Sequence, residues 1–364
     1  MHAKPRDQAN RLLVTKKVRV GIIGGGWPGQ QHARAVRASR DALLEGLAEP
    51  NEERTAEFQQ NYAPRKTYSD YTDLLNDNKV EAVVICLPNH LHFPVTLAAL
   101  RAGKHVLCEK PPTLNSAEMR VLQEEAARLG LVYFFSRQFR FTPAMRLARD
   151  LIIRGELGKI YFAEAIWVRS RGIPSGLGGW FTEKKQSGGG ALIDIGIHAL
   201  DSAWYLMGTP RPTSVTASVF QNFKHLARTP SFDVEDAAFA FIRFSSDAVV
   251  QLKTCWAGNL TDDIPEGPGF GRELNNCTLY GTRATVRLKP LTLFRDENGK
   301  LIDEALEPKD RADSFELQMQ NFIDAIAGRA PPMNDAQQAV YLMEMLDAIY
   351  LSSSTGREVP IARV

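Results

Sequence analysis

Val18-Arg-Val-Gly-Ile-Ile-Gly24-Gly-Gly26-Trp27-Pro28-Gly29-Gln-Gln-His32 is the stretch on which the reading of this chain turns. Val18, Val20, Ile22 and Ile23 are apolar and β-branched, as a buried strand requires. Gly24, Gly26 and Gly29 then fall in the G-x-G-x-x-G spacing. The first glycine allows a tight turn, the second lets backbone approach a pyrophosphate, and the third lets the next helix pack close on the strand. Phosphate would lie over the free N–H groups at that helix's N-terminus, and Trp27 and Pro28, in its first turn, are counted with the glycines as cofactor-binding. The same spacing occurs in ordinary glycine-rich βα loops, so context matters. A second apolar run, Leu43–Ala48, ends at Glu49, about twenty residues past Gly29. An acid there accepts hydrogen bonds from both hydroxyls of an adenosine ribose and repels a 2′-phosphate. The expected cofactor is therefore NAD rather than NADP. The plainer reading makes Glu49 a solvated loop acid before Pro50.

The 364 residues suggest two domains. Composition is that of a soluble globular protein, 44% hydrophobic and 24% charged. Net charge is +2, from 44 basic and 42 acidic residues, which gives no reason to expect nucleic acid or an anionic membrane as partner. The four cysteines, Cys86, Cys108, Cys255 and Cys277, show no C-x-x-C pairing and read as buried thiols of a reducing compartment, the cytoplasm. Residues 1–16 read as a loose polar arm with too short an apolar run for a signal peptide.

From residue 17 to 137 strands and helices alternate. Helices are expected over Glu52–Tyr62, Asp70–Asn76, His92–Ala102 and Ser116–Leu129, with strands over Val80–Leu87, Lys104–Cys108 and Val132–Ser136. Repeated βα units imply a doubly wound parallel sheet, a Rossmann dinucleotide-binding domain, with ligand at the carboxyl ends of its strands. From residue 138 to 364 the pattern changes. Strands near 213–221, 236–244, 248–257, 274–280 and 284–288 follow one another without helices. They predict an α+β domain with a large open, mostly antiparallel sheet, one face free for helices or another subunit. A homo-oligomer follows from that face.

Three stretches carry candidate chemistry. Cys108-Glu109-Lys110-Pro111 follows a buried strand, where a lysine reaches both cofactor and substrate, or is simply a strand-end lysine. Gly188-Gly-Gly-Ala-Leu-Ile-Asp194-Ile-Gly-Ile-His198-Ala-Leu-Asp201 puts Asp194 and His198 four apart, on one helix face. A histidine with an acid beside it suits alcohol oxidation, which needs a base for the hydroxyl proton. Asp201 either holds the imidazole or sits one turn further along. Asp194 and His198 also have metal-pair spacing, but no further His or Cys lies in the helix, so no metal is expected. Pro88-Asn89-His90-Leu-His92 follows another strand, so Asn89 and His92 line the cofactor cleft or merely cap the next helix.

These pieces together resemble the glucose–fructose oxidoreductase / inositol dehydrogenase / rhizopine catabolism (Gfo/Idh/MocA) family. The resemblance rests on Gly24-x-Gly26-x-x-Gly29-x-x-His32, Glu49-Pro50, Pro88-Asn89-His90-x-His92-x-Pro94, Glu109-Lys110-Pro111 and the Gly188–Asp201 run. It implies that Lys110, Asp194 and His198 surround the reacting carbon. It implies that Pro88, Asn89, His92, Glu109, Lys110 and Gln138 (where many members have Asn) contact the cofactor. Arg140-Phe141-x-Pro143 matches the family's opening of the substrate domain. Arg140, Arg171 and Trp180, with Lys110, Asp194 and His198, are the implied substrate contacts. The implied activity is NAD-dependent oxidation of a secondary alcohol on a sugar, glycoside or inositol. The alternatives are an enzyme that keeps its NAD and oxidises a sugar only transiently, or a sugar- or NAD-binding regulator.

Overall fold

The computed structural model describes residues 16–174, 178–260, 266–267 and 271–361. The arm expected over 1–16 thus lies almost wholly outside the described residues. The opening stretch forms β1 (Val18–Ile23) and α1 (Trp27–Ala38), with Gly26 at the N-cap and Pro28 in the first turn, where proline's missing N–H costs nothing. The chain continues through β2 (Ala42–Ala48), α2 (Glu52–Tyr62), β3 (Lys66–Tyr68), α3 (Tyr71–Asn76), β4 (Ala82–Ile85), α4 (His92–Arg101), β5 (His105–Cys108), α5 (Ser116–Leu129) and β6 (Tyr133–Phe135). Asn51, Asp70 and Asn115 cap α2, α3 and α5 with their side chains. The six strands are all parallel in the order β3-β2-β1-β4-β5-β6, which puts the switch point between β1 and β4.

After α6 (Pro143–Ile153) come β7 (Ile160–Arg169), α7 (Lys184–Ser187), α8 (Ile197–Leu206), β8 (Pro212–Phe220), β9 (Ala237–Phe244), β10 (Val249–Cys255), β11 (Glu266–Gly267), β12 (Gly271–Gly281), β13 (Ala284–Leu288), β14 (Leu291–Glu297) and β15 (Lys300–Ala305). Then follow α9 (Ser314–Ile326), α10 (Ala336–Thr355) and β16 (Val359–Pro360). The main path of the sheet is β15-β14-β13-β12-β7-β10-β9-β8-β16. Only β7 and β10 run parallel among these described pairs. Helices α6, α8 and α10 cover one face. On the other, Phe220, Phe239 and Phe241 stay exposed in line with alternating buried neighbours.

Helix α9 crosses the boundary expected at 137/138. Its Phe315, Met319, Phe322 and Ile323 complete the core beneath α1 and β1, with the Phe322 ring 5.7 Å from Phe134. The hairpin β14–β15 had no counterpart among the expected strands. Its turn is Asn298-Gly299, both at positive φ, the sequence such a hairpin turn prefers.

Candidate active site

The glycine turn is built for close approach. Gly24 has φ +97°, and a Cβ on Gly29 would stand 2.0 Å from the Gly24 carbonyl, so helix and strand meet only because both are glycine. A Cβ on Gly26, by contrast, would have nothing nearer than 3.9 Å, which leaves its backbone open to a ligand. Glu49, at the end of β2, is buried and turned into this turn: Gly25 N–H donates to it at 2.8 Å and Asn51 N–H at 3.0 Å. The Arg54 guanidinium lies 3.4 Å from the same carboxylate. Glu109, at the end of β5, bonds the buried His32 imidazole of α1 at 2.8 Å. Burial alone would raise its pKa, but the bond and charge of His32 outweigh that and hold the carboxyl at about 2.

Lys110 and Asp194 meet. The Lys110 ammonium donates to the Asp194 carboxylate at 3.1 Å and to its backbone carbonyl at 2.9 Å. The other Asp194 oxygen accepts from Trp256 Nε1 at 3.0 Å, with Arg169 3.7 Å away. Burial opposes charge on Asp194, but Lys110 and Arg169 hold its pKa below the ordinary value. Asp194 sits in a π-helical turn, Leu192–Gly196, that leads into α8, so the helix carries an extra residue where the chemistry gathers. His198, on α8 proper, is buried between the rings of Phe139 (4.9 Å) and Trp167 (5.6 Å), and its Nδ1 has no partner among the described residues. Burial first, then the charges of Arg137, Lys110 and Arg169, push its pKa well below 6.5. The imidazole is therefore neutral at physiological pH.

The triple glycine has a different partner from the one a substrate loop would suggest. A Cβ on Gly189 or Gly190 would collide with the Tyr350 hydroxyl (1.9 Å) or the Glu235 carbonyl (1.8 Å). The buried Glu235 carboxylate accepts from Gly190 N–H, Leu192 N–H and the Tyr350 hydroxyl, clamping the start of the π-turn.

The structure corrects the expected roles of Arg140, Asp201, Asp194 and His92 and shows where the other expected contacts lie. Arg140 is fully buried: it forks onto Asp201 at 3.0 and 2.6 Å and reaches Met333 and Asn334, so it cannot touch a substrate. Asp201 is committed to Arg140 and Arg137 and does not hold the imidazole. Asp194 spends both carboxylate oxygens on Lys110, Trp256 and Arg169, and no described bond joins it to His198. His92 is buried, with its ring nitrogens against the carbonyls of Pro111 (2.6 Å) and Leu87 (2.8 Å), so it ties two strand-end turns together instead of facing the cleft. Asn89 follows Pro88 and donates to the Ser187 carbonyl at 2.8 Å, linking the domains. Gln138 keeps a buried Oε1 without a described partner. Exposed Arg171 bonds the Ser170 carbonyl and Trp180 stacks on Phe181. Among the described residues no hydrogen bond, ion pair or ring contact joins either to Lys110, Asp194 or His198. No group of three or more His, Cys, Asp or Glu that could hold a metal occurs among the described residues.

Arg169, Trp167, Trp256, Arg137 and Glu235 were not legible as site residues. Only Trp167 and Arg169 carry a sequence signal, the alternation of β7, which buries Ala163, Ala165, Trp167 and Arg169 on one face and so marks an arginine placed where an aliphatic is usual.

A glycine turn open at Gly26, with an acid facing it, a lysine–aspartate pair and a neutral histidine define a nucleotide-dependent oxidoreductase. The chain belongs to the Gfo/Idh/MocA oxidoreductase family. Residues 18–136 match the family's NAD-binding Rossmann fold and residues 149–361 its C-terminal alpha/beta domain. The chain is 31% identical to the D-glucoside 3-dehydrogenase of Escherichia coli (strain K12), over 96% of this chain and 99% of that protein. It is 27% identical to the 1,5-anhydro-D-fructose reductase of Ensifer adhaerens, over 94% and 98%. A levoglucosan dehydrogenase solved in complex with NADH shares the fold, with a TM-score of 0.83 at 24% identity, covering 96% of this chain and 100% of that one. No helix among the described residues is long and apolar enough to cross a membrane.

Proposed function

We propose that this oxidoreductase oxidises a secondary alcohol of a cyclic polyol (a pyranose, glycoside or inositol) to a ketone with NAD, and that His198 takes the hydroxyl proton. The observation that carries this reading is the buried imidazole, kept neutral by its surroundings, beside the Lys110–Asp194 pair. Gly24, Gly26 and Gly29 would hold the pyrophosphate, Glu49 the ribose, and the orphaned Gln138 Oε1 is an acceptor for an amide donor. Bound NAD supplies the acceptor for the hydride that leaves carbon. Lys110 donates to the substrate oxygen and stabilises the charge that grows on it as the proton leaves. Asp194, Trp256 and Arg169 fix where that ammonium points. The four unpaired cysteines support a reducing compartment, the cytoplasm. The exposed aromatic sheet face supports a homo-oligomer.

The test is a panel of sugars, glycosides and inositols with NAD and with NADP, read at the NADH absorbance. NAD-dependent turnover of at least one cyclic polyol is expected. His198→Ala should lower its kcat by about 10²–10⁴ while NAD binding changes little. A His198→Ala variant with near-normal kcat would place the base elsewhere.

A further inference from the structure

One turn of α8 beyond His198, the second domain holds a half-open cavity of about 440 Å³ that no step above uses. Its walls include Phe139, Met145, Ser202, Asn275, Lys289 and Arg311. It borders the histidine without containing the Lys110–Asp194 pair. Phe139 and His198 meet edge to face, with ring centroids 4.9 Å apart. Ser202 bonds the His198 carbonyl at 2.9 Å. Asn275 stands opposite Trp167 across β12 and β7, and Trp167 packs on the same imidazole.

The lining has two characters. Phe139, Met145, Leu288 and two prolines make an apolar body, and a cavity of about 150 Å³ already accepts a benzene ring. The charged side chains lining it, Lys289 and Arg311, are both cations, and among the described residues no acidic one lines it. Neither has an ion-pair partner among the described residues. Glu273, the acid whose charge reaches Lys289, is held by Trp167 Nε1 at 3.0 Å and Arg169 Nε at 3.4 Å. Two uncommitted cations at an apolar cavity favour a carboxylate or phosphate, which an uncharged sugar does not offer.

We propose that this cavity binds an organic anion with a flat apolar body, its acidic group on Lys289 and Arg311 and its ring against Phe139 and Met145. The anion is either a substituent of the glycoside being oxidised, which rests on the function proposed above, or a separate small molecule.

Two measurements separate these sources. Calorimetry on the NAD-loaded protein uses 4-hydroxybenzoate, with its neutral isostere 4-hydroxybenzamide as control. Steady-state kinetics compare phenyl β-glucoside with 4-carboxyphenyl β-glucoside. Both are repeated on Lys289→Met/Arg311→Met, whose two side chains lie at the surface. For a substrate substituent, KM is about tenfold lower for the carboxylated glucoside, and the gap closes in the double variant. For a separate ligand, the two glucosides share one KM, while the benzoate binds at least about tenfold tighter than the benzamide and loses that margin in the variant. Should the variant not fold, the benzoate–benzamide comparison on the unaltered protein decides. The proposal is overturned when benzoate binds no better than benzamide and neither carboxylate preference appears. If neither glucoside is oxidised, calorimetry alone judges the cavity, while the reading of the function fails only when the whole panel of sugars, glycosides and inositols is refused.

Discussion

His198 owes its state to its surroundings. Because burial and three neighbouring cations depress its pKa well below 6.5, it remains a competent base in mildly acid solution. The acid limb of kcat should therefore lie below pH 6.5, and a limb centred at or above that value would speak against it as the base. Stability follows the same sign. Below pH 6.5 the unfolded chain takes up a proton that the native histidine refuses, so the native state weakens as pH falls toward the depressed value. Glu49 offers a second test. With Arg54 already 3.4 Å from its carboxylate, Glu49→Ser alone should raise the NADP to NAD ratio of kcat/KM by about tenfold or more. An unchanged ratio would remove Glu49 from cofactor choice. Lys110, Asp194 and His198 were legible because each sits in a short local pattern. Arg169 and Trp256 were not, because only the pairing of β7 with β10 and β12 brings strands so far apart in sequence onto Asp194. Arg140 misled for the opposite reason: a motif shows that an arginine is present, not that Asp201 buries it.

At the scale of elements, most helix and strand spans could be read because their apolar periods and caps agree, as in α2 and α5. The triple glycine announced a close approach but not what approaches, since Glu235 and Tyr350 come from a distant strand edge and the last long helix. Gly190→Ala should destabilise the protein by about 1–3 kcal/mol or more, because backbone instead of a flexible side chain meets the new Cβ at 1.8 Å. It should also lower kcat by moving the π-turn that carries Asp194. Urea unfolding with parallel kinetics measures both, and unaltered stability would mean that the clamp yields freely. The hairpin β14–β15 escaped notice because its exposed strand is charged and polar, although Asn298-Gly299 marks its turn.

For the whole molecule, the sheet face away from α8 and α10 matters most. Phe220 and Phe239 pair at 6.1 Å, and Phe162 bridges Phe241 (6.5 Å) and Tyr280 (5.5 Å), so aromatic surface crosses several strands. A monomer exposing it would invite association. Light scattering should give a mass of at least two chains, and Phe241→Glu should shift it toward one. A monomeric mass for the unaltered protein at micromolar concentration would show that the face stays bare.

Helix α9 also decides when this protein can be finished. Arg137 N–H donates to Gln318 across 181 residues of chain, and Phe322 lies against Phe134. A ribosome that has delivered all six strands of the first sheet has not yet made the helix that seals part of its second face. At ~5–20 residues per second, roughly ten to forty seconds separate the two. Throughout that interval apolar surface around Phe134 is open to chaperones and to neighbouring nascent chains.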